Sequence, residues 1–472
     1  MALNQFDKLK NEVINVGLCT RCGSCVGVCP KSAIEFCDPL GICIPVQVRR
    51  DACEDCQGWC YSGCSGNNVH FPTLNQFVHQ KQPENKLLGA FKNLYVGYAG
   101  DSNVRRAGAS GGIISAIAVY LLEQGIVDGV ITLVSKRDAP WYFEPVIARQ
   151  RSEILAGAQS KYSISPVNII LRAIENTSAD ERFAFIGIPC QVHSIRKLQI
   201  EGQPAACKIV YVIGSYCGNI LHFDAVRSFL KNHGVKDHRS IAKLEYRAGE
   251  WPGKLRIELL DGQVFEIPKF YANYLIPFYM MRRCLTCTDL TNEFSDISGG
   301  DAWAPVYEER GKGFSLIIER THEGQAVLED MVKKGLIAVD VIEESFAVDM
   351  HSHMLDFKKR GAFMRMRYLK FYGRQTPNYG YHMNSSVSFF RWIIELFIYF
   401  IYWLCSKPFS RYLVSLLPAE TTGQVFIFAR RFWKYRTKGT KGFGISLLQF
   451  TSDFPYGLSL SCPKISIKKL FL

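Results

Sequence analysis

Between about residues 93 and 300 the apolar positions follow two alternating rhythms. Short unbroken runs, GVITLV (129–134), RFAFIGI (182–188) and KIVYVIG (208–214), have the length and β-branched content of buried strands. Between them, GGIISAIAVYLLEQG (111–125), PVNIILRAIENT (166–177) and FDAVRSFLKNHG (223–234) repeat at helical spacing. Strand and helix in turn predict an α/β layer fold. KLRIELLDGQVFEIP (254–268) alternates about Asp261-Gly262 and predicts an inserted β-hairpin. Residues 315–342 repeat strand, helix, strand, and a helical region runs on to about 372.

The two ends break this rhythm. Residues 1–70 are dense in cysteine and short of periodic runs, as expected of a small domain folded around metal rather than around an apolar core. The chain then divides into a polar connector at 71–92, α/β regions at 93–180 and 181–345, a helical region at 346–382 and a tail at 383–472. The tail holds 12 of the 56 Lys and Arg but 3 of the 43 Asp and Glu, a net of +9 that leaves only +4 of the chain's +13 to the first 382 residues. In it, SFFRWIIELFIYFIYWLCSKPFSRYL (388–413) is strongly aromatic. A membrane span needs ~20 mostly apolar residues, and Arg391 and Glu395 interrupt this one. Two readings fit: a basic, aromatic helix lying on an anionic membrane surface, or a helix docked on the body.

Seventeen cysteines in 472 residues, 48% of them hydrophobic, belong to a chain large enough for two or three domains with buried cores. The opening MALNQFDKLKNEVINVG has no apolar stretch of a signal peptide, so we expect a cytoplasmic protein with reduced, metal-ligating thiols. CTRCGSCVGVCP places Cys19, Cys22, Cys25 and Cys29 at spacings of two, two and three with Pro30 behind. Thirty residues on, CEDCQGWCYSGC supplies Cys53, Cys56, Cys60 and Cys64. In two-cluster ferredoxins the fourth cysteine of each run crosses to the other 4Fe-4S cluster. That pattern implies Cys19, Cys22, Cys25 and Cys64 for one cluster and Cys53, Cys56, Cys60 and Cys29 for the other. The second run carries an extra residue and has Ser65 where proline is usual. A zinc site normally shows two separated CxxC pairs instead. Cys37 and Cys43 match neither run and are expected to be packing thiols.

Four more cysteines stand in site-like contexts: Cys190 in IGIPCQV, Cys217 in SYCGN, and Cys284 with Cys287 in RRCLTCTD. The first two follow strands, where α/β sheets present functional loops. Spacing alone leaves open a third cluster, or two buried thiols beside a zinc or redox pair. Ser110, Gly111 and Gly112 open a helix whose first amides lack intrahelical partners; they fit a diphosphate cradle or a plain N-cap. No G-x-G-x-x-G follows a strand and no P-loop sequence occurs, so neither a nicotinamide Rossmann site nor a P-loop is supported.

The ordered series GASGGIISAIAVYLLEQGIVDGVI, SKY, IGIPCQVHSIRKL, YCGN and CLTCTDLTNEFSDISGGDAW resembles the beta subunits of coenzyme F420-reducing hydrogenase and formate dehydrogenase, over about residues 15–345. The resemblance implies an iron-sulfur flavoprotein oxidoreductase carrying FAD and 4Fe-4S clusters. Its substrate would be a coenzyme F420-like deazaflavin or another hydride carrier, and its redox partner a ferredoxin or a dehydrogenase or hydrogenase subunit. It implies Ser110, Gly111 and Gly112 at the flavin diphosphate and Lys161, Tyr162, Asp301 and Trp303 near the cofactor. Cys190, Cys217, Cys284 and Cys287 would hold a body cluster. Lys161, Arg282 and Arg283 are candidates for gripping an anionic carrier. Ile188 replaces the family's usual Thr, and the tail lies outside the resemblance. Two alternatives are a ferredoxin-dependent reductase of a pigment or polysaccharide precursor and a non-catalytic electron-transfer subunit. No nucleic-acid partner is expected, and sequence assigns no catalytic acid or base.

Overall fold

A computed structural model describes residues 4–49, 51–53, 56–310, 312–442 and 444–454. At its centre is a mixed sheet of β1 (Asn93–Ala99), β2 (Gly129–Lys136), β3 (Ala139–Ala148), β4 (Phe183–Gly187), β5 (Ile209–Ser215), β6 (Ile297–Asp301), β7 (Ser315–Glu319) and β8 (Ile337–Val341). The spatial order is β8-β1-β7-β6-β5-β4-β2-β3. The strands β2, β4, β5 and β6 run parallel to one another, with Phe183 opposite Gly129 and Ile297 opposite Ile213. Strands β3, β7, β1 and β8 join antiparallel.

Tyr211, Val212 and Ile213 of β5 are all buried, so both faces of the central strand are covered; this is why its apolar run is unbroken rather than alternating. Because β4, β5 and β6 are parallel, their carboxyl ends share one edge. Gly187 leads there to Cys190, Ser215 to Cys217, and β6 itself ends on Asp301.

A three-stranded antiparallel sheet (Ile241–Ala248, Lys254–Leu259, Val264–Pro268) includes the expected hairpin about Asp261-Gly262. The cysteine-rich module folds through short helices and one hairpin, Ile34–Cys37 against Ile44–Gln47. It is sewn to the body by main-chain and side-chain bonds. Asn168 donates its backbone N–H to Cys22 O at 3.0 Å and its amide to Ser24 Oγ at 2.8 Å. A Cβ on Gly27 would stand 2.2 Å from Asn168 O, so only glycine permits this approach.

The segment 71–92, expected as a polar connector, contains helix α1 (Phe71–His79). Its Phe71 ring lies 4.7 Å from Phe294 and 5.2 Å from both Tyr379 and Tyr381, and burial of that aromatic group outweighs the polar composition around it. Four further helices bear on the site: α2 (Ile113–Glu123), α3 (Pro189–Ile200), α4 (Glu344–Lys358) and α5 (Arg360–Phe371). The described tail forms α6 (Phe389–Cys405), α7 (Pro408–Val414) and α8 (Ala419–Gly442). No single described helix is long and apolar enough to cross a membrane; α6 and α7 together pass on length and composition but are bent by 76°.

Candidate redox centre

Cys19, Cys22, Cys25 and Cys64 line one small cavity with Thr20 and Cys60, and Cys29, Cys53, Cys56 and Cys60 line a second. These are the two groupings that the crossed ferredoxin pattern implies. Burial, with help from Cys64, pushes the Cys19 thiol up to about 12. Burial does the same for Cys60, helped by Cys56, Cys29 and Cys53. Thiols that suppress one another's ionisation at this range are a natural setting for a cationic metal centre that would neutralise them. Each set stands around a small cavity. Cys43 is buried as expected, whereas Cys37 is exposed, because it shares the outer face of its short strand with Glu35 while Ile34 and Phe36 face inward.

The four body cysteines come together. Cys190, at the start of α3, Cys217, beyond β5, and Cys284 with Cys287 line one cavity. Cys190 feels Cys217, Cys22, Cys287 and Cys284, in that order after burial, all raising its thiol well above the ordinary range. Lys358, the last residue of α4, lines the same cavity and is almost fully buried. Burial disfavours its charge, yet Cys287, Cys217 and Cys284 together hold the ammonium above its usual pKa. The Arg282–Arg283 pair does not face a ligand cavity as a pair. Arg283 is buried and donates to Leu18 O and Gly66 O at 3.2 and 3.3 Å, clamping the cysteine-rich module to the body, and Arg282 donates to Ser406 Oγ at 3.1 Å in the tail.

Beside this lies a cavity of about 610 Å³, within the size range of organic cofactor sites. Ser110, Gly112, Lys161, Tyr162, Asp301 and Trp303 all line it. Gly112 caps α2 at φ 75°, and a Cβ there would meet Val104 O and Arg105 Cα at 2.8 Å. Gly111 is not in the wall. A Cβ on it would stand 2.5 Å from Gly97 O, and its N–H donates to Ser315 Oγ at 3.0 Å. Its smallness serves packing of the helix start on β1 and β7.

Asp301 is the best-held carboxylate of this cavity. Arg247 reaches it through two nitrogens, at 2.8 and 3.2 Å, and Trp251 Nε1 donates at 2.9 Å. Burial works against its charge, but Arg247 and Lys269 keep its pKa below the usual carboxylate range. Arg247 also donates to Ala109 O at 2.6 Å and Tyr162 Oη at 3.2 Å, fixing the loop before Ser110 and one cavity tyrosine together. Lys269 Nζ sits 4.2 Å from the Trp303 ring centroid, and burial lowers its pKa to about 8. Burial lowers Lys161 to about 7 while the carbonyls of Gly157, Ala158 and Gln159 accept from its ammonium. His351 Nε2 is hydrogen-bonded to Asp301 O, 2.9 Å away.

Arg247, Lys269, His351 and Lys358 were invisible as site residues in the sequence. None stands in a motif, and Lys358 lies in the basic run FKKRG. Two tail residues, Arg430 and Lys434, also line the large cavity.

Cysteine sets around cavities at the carboxyl edge of a mixed α/β sheet, with a cofactor-sized cavity alongside, define an iron-sulfur oxidoreductase as the class. The chain belongs to the family of coenzyme F420 hydrogenase/dehydrogenase beta subunits: that family's N-terminal model matches residues 94–172 and its C-terminal model residues 180–345. A 4Fe-4S binding domain matches residues 12–35.

Among relatives, coenzyme F420-dependent sulfite reductase of Methanocaldococcus jannaschii is 27% identical over 384 residues, 78% of this chain and 54% of that protein. The chain thus spans about half the length of that relative. Coenzyme F420 hydrogenase subunit beta of Methanosarcina barkeri is 26% identical over 55% of this chain and 86% of its own. The protein of the same description in Methanothermobacter thermautotrophicus is 26% identical over 55% and 87%.

Proposed function

We propose that this chain moves electrons between a hydride carrier of the coenzyme F420 type and iron-sulfur partners, through FAD in the large cavity, a 4Fe-4S cluster on Cys190, Cys217, Cys284 and Cys287, and two clusters in the cysteine-rich module. One observation carries the reading. Cys217, Ile188 and Ile220 stand in the wall of both the large cavity and the four-cysteine cavity. Thr20 continues the series into the first N-terminal set and Cys60 joins that set to the second. The named chemistry of the relatives points to the same carrier.

The residues fit the groups. FAD, when bound, supplies the conversion between two-electron hydride chemistry and single-electron transfer. Ser110 and the Gly112 turn offer a close backbone approach to an anion at the start of α2. Lys269, with Trp303 beneath it, adds a cation at the wall. Arg247 orients Asp301 and Tyr162 at the cavity wall. Lys358 offsets the negative charge of thiolate ligands in the body set. A relay without a substrate would not need a cavity of this size, and the cavity favours the enzyme reading.

The test is anaerobic purification with iron, sulfide and flavin analysis, followed by a screen of reduced deazaflavin and nicotinamide as donors and ferredoxin as acceptor. We expect about twelve iron per chain, four for each of three cubanes, and bound FAD. Stoichiometric zinc in place of iron, or no flavin in folded protein, would overturn it.

A further inference from the structure

We infer that the outward face of α6, α7 and α8 docks on an anionic lipid bilayer, with these helices lying in the headgroup layer. In an ordinary amphipathic helix on a water-soluble domain, charged residues face water and apolar ones face the core. Helix α6 is turned the other way. Arg391 and Glu395 are each only 2% exposed, whereas Phe389 and Phe390 are 75% and 72% exposed. Ile393, Phe397, Phe400 and Leu404 continue the outer stripe at spacings of three and four.

The inversion has a local cause. Arg391 and Glu395 meet body charges: Arg391 Nη2 stands 2.9 Å from Asp356 Oδ2, and Arg365 pairs with Glu395. The charged pair is the anchor, so the apolar stripe is what remains for a partner.

The neighbouring helices extend that surface. Helix α6 meets α8 through Phe397 and Trp433, whose rings are 5.1 Å apart. Phe409 and Tyr412 on α7, and Phe428, Phe432 and Tyr435 on α8, are all exposed. Lys407 lies 4.1 Å from the Trp403 ring, and Arg431 and Arg436 are exposed on α8. On the three helices the carboxylates are Glu395, which is buried, and Glu420. The fringe is therefore basic, which suits an anionic leaflet, where each nearby Lys or Arg contributes ~1 kcal/mol.

Seventeen residues make α6 about 25 Å long, short of the ~30 Å hydrocarbon core, and α7 turns away by 76°. The geometry is that of helices lying along the surface. Helix α8 also presents Arg430 and Lys434 to the large cavity, so docking would set one wall of that cavity beside the lipid headgroups.

The test uses the full chain purified with its cofactors, sedimented with vesicles of phosphatidylcholine alone and of phosphatidylcholine with phosphatidylglycerol. We expect cosedimentation with the anionic vesicles, at least about tenfold weaker binding to the neutral ones, and partial weakening by salt. Replacing Phe389, Phe390 and Phe428 by Glu should abolish it. These side chains are exposed, so folding should survive, as the melting temperature will show. Arg431→Gln with Arg436→Gln is the second variant and should lose binding to anionic vesicles selectively. Absence of cosedimentation overturns the inference, as does a dimer in sedimentation velocity that the three glutamates dissociate, since a second copy would then cover the face.

Discussion

Removing the Glu395 carboxylate should free the tail from the body. Glu395 faces two guanidiniums: it pairs with Arg365, and Arg391 Nη1 lies 2.7 Å from its Oε2. Asp356 serves Arg391 as well, and Arg360 through its Nε at 2.7 Å. Three cations thus share two carboxylates, all with side chains 8% exposed or less. In Glu395→Leu one carboxylate would remain for three buried cations. Stranding a buried charge costs about 3–5 kcal/mol. Opening of α6 is a local event, so its population should rise roughly 10²- to 10⁴-fold. Limited proteolysis within 384–405, under conditions where opening is fast relative to cleavage, reads that population directly. The triple variant Arg365→Met, Arg391→Met, Glu395→Leu leaves Asp356 and Arg360 as a one-to-one pair and should be cut more slowly than Glu395→Leu alone. A single variant cut less than about tenfold faster than the parent, or a triple variant cut faster than the single, would refute the reasoning.

Three further outcomes are expected. Gly112→Val places a β-branched residue at φ 75° with its Cβ 2.8 Å from Val104 O, which should cost about 1–3 kcal/mol and deplete flavin; full flavin content with an unshifted melting temperature would count against the cradle. Lys269, lowered to about 8 by burial, with Asp301 opposing and Arg247 and Arg430 reinforcing the shift, is charged below that pH and neutral above it. Affinity for an anionic ligand should therefore be full near pH 7 and weaken as pH rises through 8. A pH titration of binding that stays equally steep in Lys269→Met would assign the effect to another group. Cys217→Ser should remove iron from the body set and abolish ferredoxin reduction while donor-dependent bleaching of the flavin persists; loss of both together would place Cys217 in the flavin site itself.

Much of the sheet was legible because burial on both faces forces strands to be continuous apolar runs: 129–134, 182–188 and 208–214 all lie within one residue or two of β2, β4 and β5. The cysteine runs were legible because ligand spacing is local. Gly111 and Gly112 looked equivalent in sequence, yet one packs against Gly97 and the other turns the chain at the cavity. Only the fold separates them. Arg247 and Asp301 lie 54 residues apart, and their pairing depends on how the three-stranded sheet folds over the carboxyl edge of β6. Arg391 and Glu395 do interrupt an apolar run, but the sequence did not say that they point inward, because their partners are on α4 and α5. Phe71 likewise finds its aromatic neighbours at positions 193 to 381.

The junction of α4 and α5 ties these parts together. Lys358, Lys359 and Arg360 follow one another at a break where Lys359 adopts φ −88° and ψ −76°, so three successive cations leave in three directions. Lys358 faces the thiols of Cys287, Cys217 and Cys284. Lys359 Nζ stands 2.5 Å from Glu293 Oε1 in the core. Arg360 pairs with Asp356, which also holds Arg391 of the tail. Successive side chains of a helix are spread about 100° apart around its axis, and here all three cations are buried with partners. Asp356, which holds the tail through Arg391, and Lys358, which faces the body cysteines, are therefore two residues apart on α4. Placement of the tail and the charge balance of that cysteine set are set by neighbouring residues of a single kink.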